Sequence, residues 1–196
     1  MLINSDLSRN QIGGNHMPKH ILVISTSPRK GGNSETLANE FIRGAKESGN
    51  QVEKVCLYDK TISFCKGCLT CLKTRTCIIH DDAEIIAQKM KTADVLVFAT
   101  PVYYYEMSGQ MKTMLDRANP LYDSDYQFRD VYLLAAAAED EDTAVEGAVH
   151  GLSGWIACFP KSRLAGVVFG GGVGAVGEIA GNPALEKAYE MGKAVC

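Results

Sequence analysis

HILVISTSPRKGGNSETLA, residues 20–38, decides the reading of the chain. It opens on a short, continuously apolar run, His20–Ser25, the pattern of a strand buried on both faces. A turn follows that holds Arg29, Lys30, Gly31 and Gly32. Ser34 to Ser48 then reads as a helix, with Leu37, Phe41 and Ala45 at helical spacing and Gly49 as a stop. Strand, basic glycine loop and helix in that order make a site for an anion. Unpaired N–H groups at the helix start attract negative charge, and the helix dipole adds to the attraction. The hydroxyls of Ser27, Ser34 and Thr36 can donate to phosphate oxygens, and Arg29 can add a charge-assisted contact. Gly31 and Gly32 let the backbone curl close to the ligand. No G-x-x-x-x-G-K-[ST] occurs, so this is not a nucleoside-triphosphate loop.

Working outward, strands alternate with helices. Further strands are expected at residues 52–57, 93–99, 131–137 and 163–169, the third ending at Thr100-Pro101. Asp81-Asp82-Ala83-Glu84 reads as a capped helix start with an acid three residues on. Ser108 can cap a helix carrying Met111, Met114, Leu115 and Ala118 on one face. Another helix runs from about Asp142 to Cys158, and Asn182-Pro183 opens the last, with Pro at the first helical position. Five strands and five helices in alternation demand a parallel sheet covered on both faces. The fold class is therefore three-layer α/β. Five strands in under 200 residues favour the flavodoxin-like order 2-1-3-4-5, with ligands beyond the carboxyl ends of the strands. Three loops leave that rim: residues 25–34, 58–82 and 100–108. Residues 1–19 read as a polar N-terminal arm, and 20–196 as one domain.

Composition narrows the function. The 196 residues carry a formal net charge of −3, with 46% hydrophobic and 22% charged residues. That balance suits a folded core and argues against nucleic acid as the main partner. No apolar run reaches the length of a membrane span, and the first residues hold no signal-peptide block, so a cytoplasmic location is expected. Of seven cysteines, Cys65, Cys68, Cys71 and Cys77 fall in one tight run, while Cys56, Cys158 and Cys196 are scattered. Clustering points to metal, cluster or redox chemistry rather than a disulfide framework. Spacings of two, two and five resemble a ferredoxin-type run. A [4Fe–4S] cluster, unliganded thiols and zinc all stay open. On the third rim loop, Tyr103, Tyr104 and Tyr105 follow one another. Aromatics in a row suit a flat ring system stacked on them, a subunit interface or a local core patch.

S-P-R-K-G-G-N-S-E-T-L-A after the first strand, C-x2-C-x2-C-x5-C before D-D, and T-P-V-Y-Y-Y-x-M-S-x-Q-M-K after the third strand resemble the NADPH-dependent FMN reductase family. They are closest to its iron–sulfur flavoprotein branch. The resemblance covers the chain from about Lys19 onward. It implies FMN as cofactor, its phosphate held by Ser27, Arg29, Asn33, Ser34, Glu35 and Thr36, partly through backbone N–H groups. It implies the flavin ring against Pro101, Val102, Tyr103 and Tyr104, with residues 137–139 flanking it. It further implies NAD(P)H as the electron source and a quinone, flavin, iron species or the protein's own cluster as acceptor. A homodimer or homotetramer is expected. The alternative activity is a ferredoxin-linked iron–sulfur electron carrier. Gly172–Gly177 matches G-x-G-x-x-G, but no strand follows it and no acid lies at the required distance, so it reads as a flexible loop near the site. Trp155 reads as core or interface, His16 and His20 as surface and strand-start residues, and His80 as a marginal extra ligand.

Overall fold

A computed structural model of the chain describes residues 17–196. His16 and most of the N-terminal arm lie outside the described residues. The strands are β1 (His20–Ser25), β2 (Gln51–Cys56), β3 (Val95–Tyr103), β4 (Glu106–Met107), β5 (Asp130–Ala136) and β6 (Arg163–Gly170). The α-helices are α1 (Asn33–Glu47), α2 (Cys71–Thr74), α3 (Asp82–Thr92), α4 (Gly109–Arg117), α5 (Glu146–Ile156) and α6 (Ala184–Lys193). Five strands lie parallel in the order β2-β1-β3-β5-β6, which is the expected doubly wound order. A sixth, β4, pairs antiparallel with the end of β3.

Alternation along β1 sets the layers. Ile21 and Val23 face one core, packed with Leu37, Ala38 and Phe41 of α1 and with Ala184 and Ala188 of α6. Leu22 and Ile24 face the other, with Ile86 and Met90 of α3, Met111 and Met114 of α4, and Leu152 of α5. All four β1 side chains are fully buried. Each such side chain contributes roughly 1.5–3 kcal/mol of transfer free energy. Among the described residues no helix is long and apolar enough to cross a membrane.

Several details differ from the sequence expectation. Strand β3 runs past Thr100-Pro101 to Tyr103. Its β1 partner ends at Ala99, so the missing N–H of Pro101 falls where β1 no longer pairs, while β5 continues to Pro101. The helix expected from Asp142 starts as a 3-10 turn, Asp142–Val145, before α5, a common tightening at helix starts. Pro183 sits just ahead of α6, and the Asn182 side chain caps it by accepting from the Ala184 N–H at 2.9 Å. A single extra helical turn, α2, lies within the cysteine segment.

Candidate functional site

At the carboxyl edge, the loop between β1 and α1 is held by its own side chains. The Ser27 hydroxyl donates to the Arg29 carbonyl at 2.9 Å and accepts from the Arg29 N–H at 3.1 Å. A Cβ at Gly32 would lie 2.7 Å from Ser27 Oγ, so a larger residue there would push the Ser27 hydroxyl out of its turn. No side chain caps α1, which leaves its first N–H groups for a ligand. Ser25 Oγ and Ser34 Oγ are buried without a hydrogen-bond partner. Buried hydroxyls in that condition cost stability, and a phosphate at the α1 start answers the Ser34 orphan. The donor set therefore fits FMN phosphate.

Other expected phosphate ligands have partners of their own. Arg29 Nη1 donates to the Gly174 carbonyl at 3.1 Å. Asn33 Nδ2 donates to the Ala175 carbonyl at 2.8 Å, and its oxygen accepts from the Gly177 N–H at 3.2 Å. Thr36 donates back to the Gly32 carbonyl at 3.3 Å. Glu35 accepts from the Gly31 N–H at 2.7 Å and from Lys54 at 3.0 Å. Burial pushes the Glu35 carboxyl up, but Lys54 and the Gly31 N–H outweigh it and hold the group below its ordinary range. The glycine-rich segment 172–177 thus braces the anion loop, with Glu178 accepting from the Gly174 and Ala175 N–H groups at 2.7 and 2.8 Å.

The tyrosine loop is a tight hairpin. Val102 pairs with Met107 and Tyr103 with Glu106, leaving Tyr104 and Tyr105 as a two-residue turn. Both have left-handed φ, 51° and 65°, the signature of a type I′ turn that normally takes Asn-Gly. Bulky residues there store roughly 1–2 kcal/mol each. Tyr104 is fully exposed. Gly147 of α5 lets the hairpin approach closely, since a Cβ there would lie 2.2 Å from the Tyr105 carbonyl oxygen. Val102, Tyr104, Tyr105, Ala138, Glu139 and Ala144 line a cavity of about 240 Å³. Of the residues expected at the ring, Val102 and Tyr104 reach this cavity together with residues 137–139. Pro101 and Tyr103 are not among its lining residues, and Tyr105 joins it.

All four cysteines of the run line a second cavity of about 400 Å³, opposite Leu115, Asn119, Trp155 and Phe159. All four thiols are free; Cys65 and Cys68 are exposed, Cys71 and Cys77 half-buried. Donors reach the sulfurs. Asn119 Nδ2 lies 3.0 Å from Cys71 Sγ, and the Gly67 N–H lies 3.4 Å from Cys65 Sγ. The Thr70 hydroxyl and N–H favour the Cys68 thiolate and lower its pKa. Gly67 and Leu69 are left-handed, and Thr70 is right-handed. Such alternation turns successive N–H groups toward an anionic centre, as in many Fe–S sites. Four cysteine thiols are the donor set that a [4Fe–4S] cluster takes. Among the described residues no group of three or more His, Cys, Asp or Glu side chains is placed to hold a metal ion. His80 meets Glu84 at 3.0 Å and is not among the cavity's lining residues.

Sequence reasoning missed three groups. Cys158 lines the thiol cavity from the far side. Thr26 Oγ1 meets Ser108 Oγ at 2.9 Å, and the Ser108 N–H donates to Thr100 Oγ1 at 3.0 Å. This buried knot fixes the start of α4 at the carboxyl edge of the sheet. Arg117, fully buried at the end of α4, reaches both ends of the cysteine segment. The only hint in sequence was a basic residue beside the apolar face of that helix.

A family model described as NADPH-dependent FMN reductase matches residues 20–170. An iron–sulfur flavoprotein of Archaeoglobus fulgidus is 38% identical over 97 residues, 50% of this chain and 44% of that protein. An iron–sulfur flavoprotein of Methanosarcina thermophila is 28% identical over 172 residues, 87% of each chain. The match thus spans less than half of the Archaeoglobus relative and most of the Methanosarcina one. Among solved structures, an NAD(P)H:quinone oxidoreductase from Methanothermobacter marburgensis superposes with a TM-score of 0.73 at 16% identity, covering 90% of this chain and 96% of that one. At that identity the likeness speaks for the fold.

Proposed function

The chain belongs to the NADPH-dependent FMN reductase family, and on that premise we propose that it carries electrons from NAD(P)H through bound FMN to an acceptor. When bound, FMN supplies the centre that takes hydride and releases electrons singly or in pairs. The chain's own residues anchor, orient and shield it. The Ser34 hydroxyl and the first N–H groups of α1 bind the phosphate, and Arg29 adds its remaining guanidinium N–H groups. Ser27, Asn33, Glu35 and Thr36 hold the loop and contribute backbone N–H groups. Val102 and Tyr104 form one wall for the ring, supported by Pro101 and Tyr103, with residues 137–139 opposite. The single observation that carries this reading is the buried, partnerless Ser34 hydroxyl at an uncapped helix start.

The four-thiol cavity favours a second function in the same chain. A space of about 400 Å³ framed by four thiols suits a polynuclear cluster better than one tetrahedral ion, whose sulfurs lie about 2.3 Å from the metal. A [4Fe–4S] cluster supplies one-electron transfer when bound, and the names of the relatives support that assignment. The acceptor is then a quinone, a flavin, an iron species or the cluster itself. The alternative is a ferredoxin-linked carrier. Free thiols suit a reducing compartment, so the proposed location is the cytoplasm. The exposed tyrosine hairpin supports burial against a second copy in a homodimer or homotetramer.

Anaerobic stopped-flow reduction separates the two activities. Reduction of the flavin by NADPH or NADH faster than by reduced ferredoxin supports the reductase. Slow reduction by both nucleotides with fast reduction by ferredoxin makes the protein an electron carrier.

A further inference from the structure

Arg117 ends α4 with a side chain of zero exposure. Its Nη1 donates to the Ser63 carbonyl at 2.7 Å and to Asp81 Oδ2 at 2.8 Å. Its Nη2 donates to the Ile79 carbonyl and to Asp81 Oδ1, both at 2.9 Å. Asp81 in turn accepts from the Ser63 N–H at 2.8 Å. Ser63 stands two residues before Cys65, and Ile79 two residues after Cys77. One ion pair therefore ties together the two ends of the segment that carries all four thiols. Between the ties the segment has little regular structure, a single turn of helix, and three left-handed residues, Gly67, Leu69 and Arg75. Its other anchors come from the chain just beyond Arg117: Asn119 on Cys71, and the Tyr122 carbonyl on Arg75 at 2.8 Å.

Stability alone does not call for this arrangement. A buried ion pair gains little over an apolar pair of similar volume, because both charges must be desolvated. What the pair adds is geometry. A planar guanidinium presents its N–H groups in fixed directions, so one side chain meets a carboxylate and two carbonyls at once. Pinning both ends also removes most of the conformational freedom of the residues between them.

We propose that Arg117 is a positioning residue which, with Asp81, closes the cysteine segment into a preformed loop and keeps its thiols around one cavity before any metal arrives. The expectation for iron uptake rests on the cluster reading above; the thiol geometry does not, and the two are tested separately.

The test uses the full chain, FMN-loaded, reduced and metal-free, in the double variant Arg117→Met/Asp81→Asn. Methionine keeps most of the volume, and asparagine still caps α3. Pulses of iodoacetamide are read by mass spectrometry at each cysteine. Half-buried Cys71 and Cys77 should alkylate at least tenfold faster than in the wild type. Exposed Cys65 and Cys68, and half-buried Cys56 outside the segment, should stay within twofold. Unchanged rates at Cys71 and Cys77 overturn the proposal. Equal acceleration at Cys56 also overturns it, because that marks general loosening. Arg117→Lys keeps the charge without the fork and should fail to restore slow alkylation; wild-type rates there overturn the bridging role. In parallel, anaerobic loading with ferrous iron and sulfide should leave the double variant with under a fifth of the wild-type iron at unchanged FMN content. Equal iron in variant and wild type counts against the proposal. A wild type that takes up no iron overturns the cluster reading instead, and the alkylation pattern still decides the role of Arg117.

Discussion

Ser34 joins two opposing consequences in one hydroxyl. Buried without a partner, it should destabilise the flavin-free protein, and on the proposed reading it holds the cofactor's phosphate. Ser34→Ala should therefore raise the melting temperature of the flavin-free protein while weakening FMN. The expected loss is about 1.5–3 kcal/mol, the range for hydrogen bonds to charged groups. Arg29→Ala should weaken FMN within that same range, its bond to Gly174 leaving other N–H groups for the phosphate. Titration of FMN into both variants checks this, and unchanged affinity in either removes that residue from the site. Tyr104 obeys a similar logic. Its left-handed backbone stores strain, so Tyr104→Gly should stabilise the flavin-free protein by roughly 1 kcal/mol and still bind FMN more weakly, for want of the ring. A protein less stable and equally tight for FMN would contradict this. At this scale the sequence was informative where chemistry was unusual: the basic glycine loop and the tyrosine run lie on the rim they were expected to occupy, whereas the cysteine segment leaves that rim and its cavity opens at the far end of α4, beside Leu115 and Asn119. It was silent on division of labour. That Asn33 and Glu35 spend their side chains on Gly177, Ala175 and Lys54 depends on contacts far apart in the chain.

Among the elements, α4 links the two cavities. Its Ser108 cap is knotted to Thr26 and Thr100 at the flavin rim, and its last residue, Arg117, holds the cysteine segment. Nine residues at 1.5 Å each give a strut of about 13 Å. Ser108→Ala removes the cap, which costs about 0.5–2 kcal/mol, and takes away the hydroxyl that meets Thr26 Oγ1, while the backbone bond to Thr100 stays. The variant should melt lower and bind FMN more weakly, because the knot sits at the rim. Calorimetry and titration on the same sample check both, and a loss of stability alone would place the knot outside the flavin site. Strands β1, β5 and β6 were legible as continuous apolar runs bounded by turns. The extension of β3 through Pro101 was not, since proline ordinarily ends a strand and is tolerated here only because β1 stops pairing at Ala99. The hairpin β4 was hidden for a related reason: its turn residues are tyrosines rather than the glycine and asparagine that mark such turns.

Across the whole molecule, two carboxylates make stability depend on acid. Asp81 is pushed up by burial, but Arg117 and the Ser63 and Ala83 N–H groups outweigh that and hold it below its ordinary range. Glu35 is held down by Lys54 and Gly31 against the same opposing burial. The folded pKa of each lies below the unfolded one, so the unfolded chain takes up protons first as pH falls. Their stabilisation is complete at neutral pH and disappears as pH drops below about 4 and through the folded values. Melting temperatures between pH 7 and pH 3 should fall more steeply for the wild type than for Glu35→Gln, and parallel curves would contradict the assignment. The doubly wound order was readable from alternation together with five strands in under 200 residues, whereas the closure of the cysteine segment by a buried ion pair was not. An Arg on α4 and an Asp ahead of α3 carry no local signal of meeting.

On the proposed reading, one chain holds a flavin and a four-thiol cluster at opposite ends of α4. The most direct test of that reading is the absorption spectrum of protein purified without oxygen, with iron and acid-labile sulfide measured on the same sample. Flavin bands, a broad shoulder near ~400 nm and about four irons per chain are the predicted result. Flavin bands without iron or sulfide would contradict it and leave a plain FMN reductase whose four gathered thiols serve another chemistry.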